Sequence, residues 1–104
     1  PEALAALGEA ARRAPGDPRF AYVYGVALHD AGKPAEAIRT LDAALARHPY
    51  DRDILLALAS YERESGNVAK AAQRAKLLAL LEPDNAELAR FARELDVAAP
   101  RRAR

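Results

Sequence analysis

Few side chains in this chain of 104 residues have catalytic potential. Apart from tyrosine, the hydroxyl nucleophiles are Ser60, Ser65 and Thr40, and none occupies the G-x-S-x-G turn of serine hydrolases. The two histidines, His29 and His48, are 19 residues apart and lack the i, i+4 spacing of a helical zinc site. The absence of Cys excludes disulfides, thiolate catalysis and Cys-ligated metal centres. The sequence therefore predicts a protein that is not an enzyme and holds no metal or cofactor.

The charges are nearly balanced, with 16 Lys+Arg against 15 Asp+Glu and a formal net charge of +1. This balance disfavours nucleic acid as the partner. No apolar stretch approaches the roughly 20 residues that a membrane-spanning helix needs, so membrane insertion is not expected. Glu62 and Glu64 are interleaved with arginines and are interpreted as part of a solvated helix face.

The chain has no Met and no signal-peptide pattern, which favours a fragment of a larger protein and leaves its compartment open. Arginine outnumbers lysine, as in proteins encoded by GC-rich genes, and this favours a bacterial source.

The elements that must position any functional side chain follow a period of 34 residues. Pro15, Pro49 and Pro83 keep this period, and so do Gly32 and Gly66. Glycine favours the left-handed turn that ends a helix, and proline stops a helix or restricts the residue before it. The pattern therefore predicts pairs of helices joined by short turns.

Six helices and no strand are predicted. The expected ranges are 2–13, 18–31, 34–47, 52–65, 68–81 and 86–97. Asp17 and Asn67 are expected N-caps, and Asp84 with Glu87 has the spacing of a capping box before the last helix. The residues expected to fill the space between neighbouring pairs are Leu28, Ile38, Leu41, Leu45, Leu58, Leu77 and Leu80.

These repeated residues resemble the tetratricopeptide repeat (TPR) family, whose unit of about 34 residues is a helix–turn–helix. Counted from Pro18, the small residues of the family pattern correspond to Gly25, Ala37 and Ala44, and its proline corresponds to Pro49. We expect helices of one pair to approach closely where both carry a small residue, as at Gly25 against Ala37.

Some positions depart from the family pattern. Ala21 and Leu55 replace its common Trp, and Leu78 stands where a small residue is usual. Arg93 occupies the small position of the last helix, which predicts that this helix is a solvating cap.

The resemblance implies an all-α fold, a right-handed superhelical stack of antiparallel helix pairs (an α-solenoid). It implies a single domain over residues 1–99, with a basic tail at 100–104 that is expected to be disordered. Within the domain the segments are the second helix of a truncated repeat (1–17), two full repeats (18–51 and 52–85) and a capping helix (86–97).

In TPR proteins the first helix of each pair, helix A, lines a concave groove that receives a peptide, and the family's usual role is protein–protein scaffolding. By position, the first A helix contributes Arg19, Tyr22, Val23, Val26, His29 and Asp30. The second A helix and the last helix contribute Asp53, Leu56, Ala57, Ser60, Arg63, Glu64, Glu87, Arg90, Phe91 and Glu94. The Lys, Asn and Arg with which some co-chaperones grip a C-terminal carboxylate are replaced here by Tyr22, Val26, Ala57, Glu87 and Phe91. The resemblance therefore implies a peptide or protein partner recognised by apolar anchors.

Helix 2–13 lacks a preceding A helix, which leaves Leu4 and Leu7 without an obvious cover. Upstream repeats of a longer array would cover them, or a second copy of the chain would. The alternative functions are therefore homo-oligomerisation through this helix and, less favoured, a nucleic-acid-binding helical repeat.

Overall fold

The computed structural model describes residues 2–99, so the tail predicted at 100–104 lies outside the described residues. Within that range the chain forms six helices and no strand, as predicted. They are α1 (Glu2–Arg13), α2 (Pro18–Asp30), α3 (Pro34–Arg47), α4 (Arg52–Glu64), α5 (Val68–Leu81) and α6 (Ala86–Ala98). Only the C-terminal ends of α2, α4 and α6 differ from the expected ranges, each by a single residue.

Side-chain caps fix where four of these helices begin. Asp17 accepts a hydrogen bond from the backbone N–H of Arg19, and Asn67 accepts one from that of Lys70, as predicted. Asp51 caps α4 through the N–H of Ile54. Each cap satisfies a backbone donor that has no partner inside its helix.

The predicted capping box at α6 is wrong. Asn85 is the N-cap, and its Oδ1 accepts from the N–H groups of Glu87 and Leu88 at 3.1 and 3.2 Å. The backbone of Asn85 is extended, with φ −87° and ψ 99°, as an N-cap requires. Asp84 lies one residue too early to reach these groups and is exposed.

Glycine closes the two tight turns within helix pairs, as predicted. Gly32 joins α2 to α3 with φ +79°, and Gly66 joins α4 to α5 with φ +91°. This left-handed conformation costs glycine little, because it has no Cβ.

The helices stack in chain order into an elongated body of 46 × 26 × 24 Å. Each helix packs against the next one along the chain, and α2 also contacts α4. Contacts limited to neighbours are typical of a helical-repeat solenoid.

The main core lies where α3, α4 and α5 meet. Its most buried members include Leu41, Ile54, Leu55, Leu58 and Leu78. The expectation that Leu80 fills the space between pairs is wrong, because Leu80 is 77% exposed. In a helix of 3.6 residues per turn, a residue two positions after the buried Leu78 lies on nearly the opposite face.

At the close approach within the first pair, the side chain nearest to Gly25 is that of Leu41. A Cβ added to Gly25 would lie 2.6 Å from Cγ and Cδ2 of Leu41. Ala37, the predicted partner, is fully buried nearby in the same helix, α3. Gly25 therefore makes room for a leucine of the opposite helix.

The interpretation of Glu62 as a solvated residue is also wrong, since it is only 2% exposed. Arg74 of α5 donates to its two carboxylate oxygens at 3.2 and 3.3 Å. The same guanidinium donates to Asp42 of α3 at 3.0 Å. A buried carboxylate needs such partners, and these bonds connect α3, α4 and α5.

Candidate functional site

A cleft of about 380 Å³ separates α4 from α6. Four residues of α4 line one wall, Arg52, Leu56, Ser60 and Arg63. Asn85 and three residues of α6 line the other, Glu87, Leu88 and Phe91. Leu56, Ser60 and Arg63 share one face of α4, because residues three or four apart are neighbours on a helix surface.

The cleft combines an apolar floor with a cation. Leu88 is buried, and Leu56 and Phe91 are half-buried. The guanidinium carbon of Arg63 lies 5.2 Å from the centre of the Phe91 ring. This is the range of a cation–π contact, which holds the charge of an otherwise exposed side chain beside the apolar floor.

Polar contacts at the mouth of the cleft connect α4 to the start of α6. Glu82 accepts hydrogen bonds from the guanidinium of Arg52 and from the side-chain amide of Asn85. Neither Arg52 nor Asn85 was predicted from the sequence to line the cleft, although Arg52 lies one helical turn before Leu56. They fix the entrance of the cleft.

His29 connects the two neighbouring helices α2 and α4. Its Nε2 lies 2.7 Å from a carboxylate oxygen of Glu64, and its Nδ1 lies 3.6 Å from Asp30. The imidazole stacks on the ring of Tyr61, with ring centres 3.9 Å apart. The hydrogen bond to Glu64 raises the pKa of His29 above its usual value. Burial raises the pKa of the Tyr61 hydroxyl.

The residues predicted for the groove on α2 lie apart from this cleft. Tyr22 is half-buried against the main core, Val26 is half-buried, and Val23 is 46% exposed. The exposed Arg19 is bound to Asp17 through its guanidinium, which lowers the pKa of that carboxyl.

On the two helices of the cleft, Asp53 and Arg90 are exposed but do not line it. The structure thus brings five of the predicted residues into one cleft, namely Leu56, Ser60, Arg63, Glu87 and Phe91.

The N-terminal helix is partly covered by the chain itself. Gly8 is buried, and a Cβ placed on it would lie 3.0 to 3.2 Å from ring and hydroxyl atoms of Tyr24. Leu4 and Leu7, the residues predicted for self-association, are half-buried. The residue related to Leu7 by the 34-residue period, Leu41, is fully buried between helices. The face of α1 is therefore less covered than the corresponding face of α3.

Two of the residues with catalytic potential, His48 and Ser65, are held in structural contacts. His48 Nε2 donates to the carbonyl of Pro15 at 3.1 Å, and the Ser65 hydroxyl donates to the carbonyl of Glu62 at 3.0 Å. Across residues 2–99, no group of three or more His, Asp or Glu side chains is arranged to hold a metal ion. Over the same residues, no helix has the length and apolar character needed to cross a bilayer.

Stacked helix pairs with a cleft between alternate helices define the chain as an α-helical repeat protein. Two tetratricopeptide repeat models match it, one over residues 1–52 and the other over residues 28–95. The chain therefore belongs to the tetratricopeptide repeat family, as its sequence resemblance indicated. No curated protein matches this chain. Repeats of this family generally mediate protein–protein interaction.

Proposed function

We propose that this chain is a non-catalytic adaptor that binds an extended peptide or a protein segment on the surface formed by α2, α4 and α6. In this proposal the chain consists, as predicted from the sequence, of a truncated repeat, two full repeats and a capping helix. The observation that best supports this proposal is the cleft between α4 and α6, in which Leu56, Leu88 and Phe91 form an apolar floor beside Arg63.

The chemistry of this cleft favours a segment with an apolar anchor. An apolar side chain placed on Leu56 and Phe91 would be removed from water, which is the main driving force of such recognition. Arg63 and Glu87 lie at the rim and offer a cation and an anion to flanking polar groups. Because these rim charges are exposed, they would contribute mainly to specificity and to the association rate.

The surface continues from the cleft onto α2. Tyr22 and Val26 are half-buried on this helix, and the His29–Glu64 contact holds α2 against α4. An extended segment anchored in the cleft would therefore meet further apolar groups along α2. This extent matches the family's mode of peptide recognition.

The experiment selects binding peptides from a random library on the whole chain and measures their dissociation constants for variants. Leu56→Ala should weaken binding at least about fivefold, as expected for an anchor contact. Leu80→Ala is the matched control, since Leu80 is 77% exposed and lies outside the cleft. Tyr22→Ala and Tyr50→Ala form a second pair, because Tyr50 is 67% exposed.

Melting curves of all four variants establish that the fold is retained. If Leu56→Ala binds the peptides as tightly as the wild type does, while Leu80→Ala binds them more weakly, the binding surface does not lie in the cleft.

Self-association through α1 is the second candidate. It is favoured by the incomplete cover of Leu4 and Leu7, compared with the full burial of Leu41. Light scattering at several concentrations should then show a dimer that Leu7→Glu dissociates. A monomer at every concentration would exclude this function.

A further inference from the structure

A second cavity, of about 280 Å³ and partly open to solvent, lies where α1, α2 and α3 meet. It shares no lining residue with the cleft between α4 and α6. Its walls carry small apolar residues from all three helices and the ring of Tyr24. The residues that matter for its chemistry are Ala21, Ala43, Ala44, Thr40, Arg47 and His48.

The repeat period explains why this space is open. At 34 residues further along the chain, Ala21 and Ala44 correspond to Leu55 and Leu78. Both leucines are fully buried where α3, α4 and α5 meet, and they fill the space between these helices. Ala43 likewise corresponds to Leu77, which packs against the same core. The place where α1, α2 and α3 meet therefore lacks the large side chains that fill the place where α3, α4 and α5 meet.

The rim of this cavity is rich in hydrogen-bond donors. Within residues 2–99, Arg47 has no salt-bridge partner, so its guanidinium is available to a ligand. Tyr24, Thr40 and Arg12 line the same space.

The acidic groups near this rim are already engaged. Asp17 accepts three hydrogen bonds from Arg19. Glu9 is bound by Arg12 and Arg13 at 2.6 and 2.9 Å. The charge left without a partner at the cavity is therefore positive.

We propose that this cavity binds a small carboxylic acid with an apolar body. The body would lie among the alanines and Tyr24, and the carboxylate would accept hydrogen bonds from Arg47. An enclosed cavity of about 150 Å³ holds a benzene molecule, so the volume of this more open pocket is large enough for a phenyl ring with a short linker. Arginine suits this role because its planar guanidinium pairs with both oxygens of a carboxylate. This site is independent of the proposed peptide surface.

The test uses 3-phenylpropionate as the probe, with amide chemical shifts of the whole chain as the readout. Saturable shifts are expected at Gly8, Ala11, Ala44 and Arg47, with a dissociation constant on the order of 1 mM for so small a ligand. The residues of the α4–α6 cleft should not shift. Two matched compounds separate the contributions, 3-phenylpropanol for the apolar body alone and acetate for the charge alone. Both should bind about tenfold more weakly or not at all, because each lacks one contact.

Two variants copy residues that the second repeat carries at the related positions. Ala44→Leu should abolish the shifts by filling the cavity, whereas Ala46→Leu, on the exposed side of the same helix, should not. Arg47→Leu should weaken the acid about tenfold and leave the alcohol unchanged. Arg39→Leu is its control on an exposed part of α3. If Ala44→Leu does not fold, Ala43→Leu fills the same cavity from its edge.

Shifts that rise linearly without saturation, or that persist in the filled variant, would overturn the site. Equal affinity for the acid and the alcohol would overturn the role of Arg47.

Discussion

The buried carboxylate of Glu62 is paired with the guanidinium of Arg74 through two hydrogen bonds, at 3.2 and 3.3 Å. In the first repeat the related positions hold Leu28 and Thr40, so neither position carries a charge there. Leu28 is only 1% exposed, like Glu62 at 2%. The second full repeat thus has a buried ion pair where the first has a leucine.

This pairing predicts an asymmetry between two single substitutions. Arg74→Thr leaves Glu62 buried without its partner and should lower the free energy of unfolding by about 3–5 kcal/mol. Glu62→Leu should cost much less, because Arg74 is partly exposed and keeps its bond to Asp42. The double variant reproduces the first repeat and should recover most of the loss. Urea denaturation of the three variants measures these values, and equal costs for both single substitutions would contradict the prediction.

The close contact at Gly25 predicts opposite effects for two Gly→Ala substitutions. At Gly25 the new Cβ would lie 2.6 Å from the Leu41 side chain, and the strain should cost about 1–3 kcal/mol. This cost outweighs the helix propensity gained, which is about 1 kcal/mol at most. A Cβ added to Gly16 would meet no atom within 4 Å beyond its chain neighbours, so alanine there should be neutral or slightly stabilising.

The fully buried Ala37 in the same helix pair should respond like Gly25, and Ala37→Leu should destabilise by overpacking. Thermal melts of these variants test the packing of the first pair. A melting temperature for Gly25→Ala that is equal to or above that of Gly16→Ala would show that α2 and α3 are not so closely packed.

The contact between His29 and Glu64 predicts a pH-dependent stability. The pKa of His29 is raised in the folded chain, so the protonated ring stabilises the fold. This contribution is fully present below the unfolded value of 6.5 and is lost as the pH rises through the folded pKa. The loss should be about 0.2–1 kcal/mol, since the pair is partly exposed.

The measurement compares the free energy of unfolding of the wild type and His29→Gln between about pH 5.5 and 9, where histidine changes its charge. The difference should shrink toward the alkaline end. In the background of Glu64→Gln the same comparison should be nearly flat, with Asp30 as the remaining carboxylate. A difference that grows with pH would have the wrong sign for this contact.

The helices and turns could be predicted from the sequence because their signals are local. Gly32 and Gly66 require only their own backbone conformation, and an N-cap such as Asn67 needs only the next turn of its helix. The pairing of Glu62 had no such signal, since its partner lies on another helix. Aligning the two repeats would have helped, because Leu28 and Thr40 of the first repeat are replaced together by Glu62 and Arg74 in the second.

The candidate site was predictable only in part. The spacing of Leu56, Ser60 and Arg63 places them on one helix face, and the family resemblance indicated which face. The contact of Arg63 with Phe91 depends on the distance between α4 and α6, which no local pattern specifies. For the same reason Leu80 was misplaced, since apolar character alone does not determine which helix face is covered.

The start of α6 provides the last prediction, because the N-cap of this helix differs from the one expected. Asn85 accepts from two backbone N–H groups and donates to Glu82, whereas Asp84 is exposed. Asn85→Ala should therefore lower the free energy of unfolding by about 1 kcal/mol. Asp84→Ala should change it little, although the two residues are adjacent.

Loss of this cap should also fray the first turn of α6, which carries Glu87 and Leu88 at one wall of the cleft. Hydrogen exchange of the amides of Glu87, Leu88 and Ala89 should accelerate in Asn85→Ala and stay unchanged in Asp84→Ala. The exchange of α2 should be the same in both, because α2 is not in contact with α6. Faster exchange in Asp84→Ala alone would instead return the cap to Asp84 and to the capping box with Glu87.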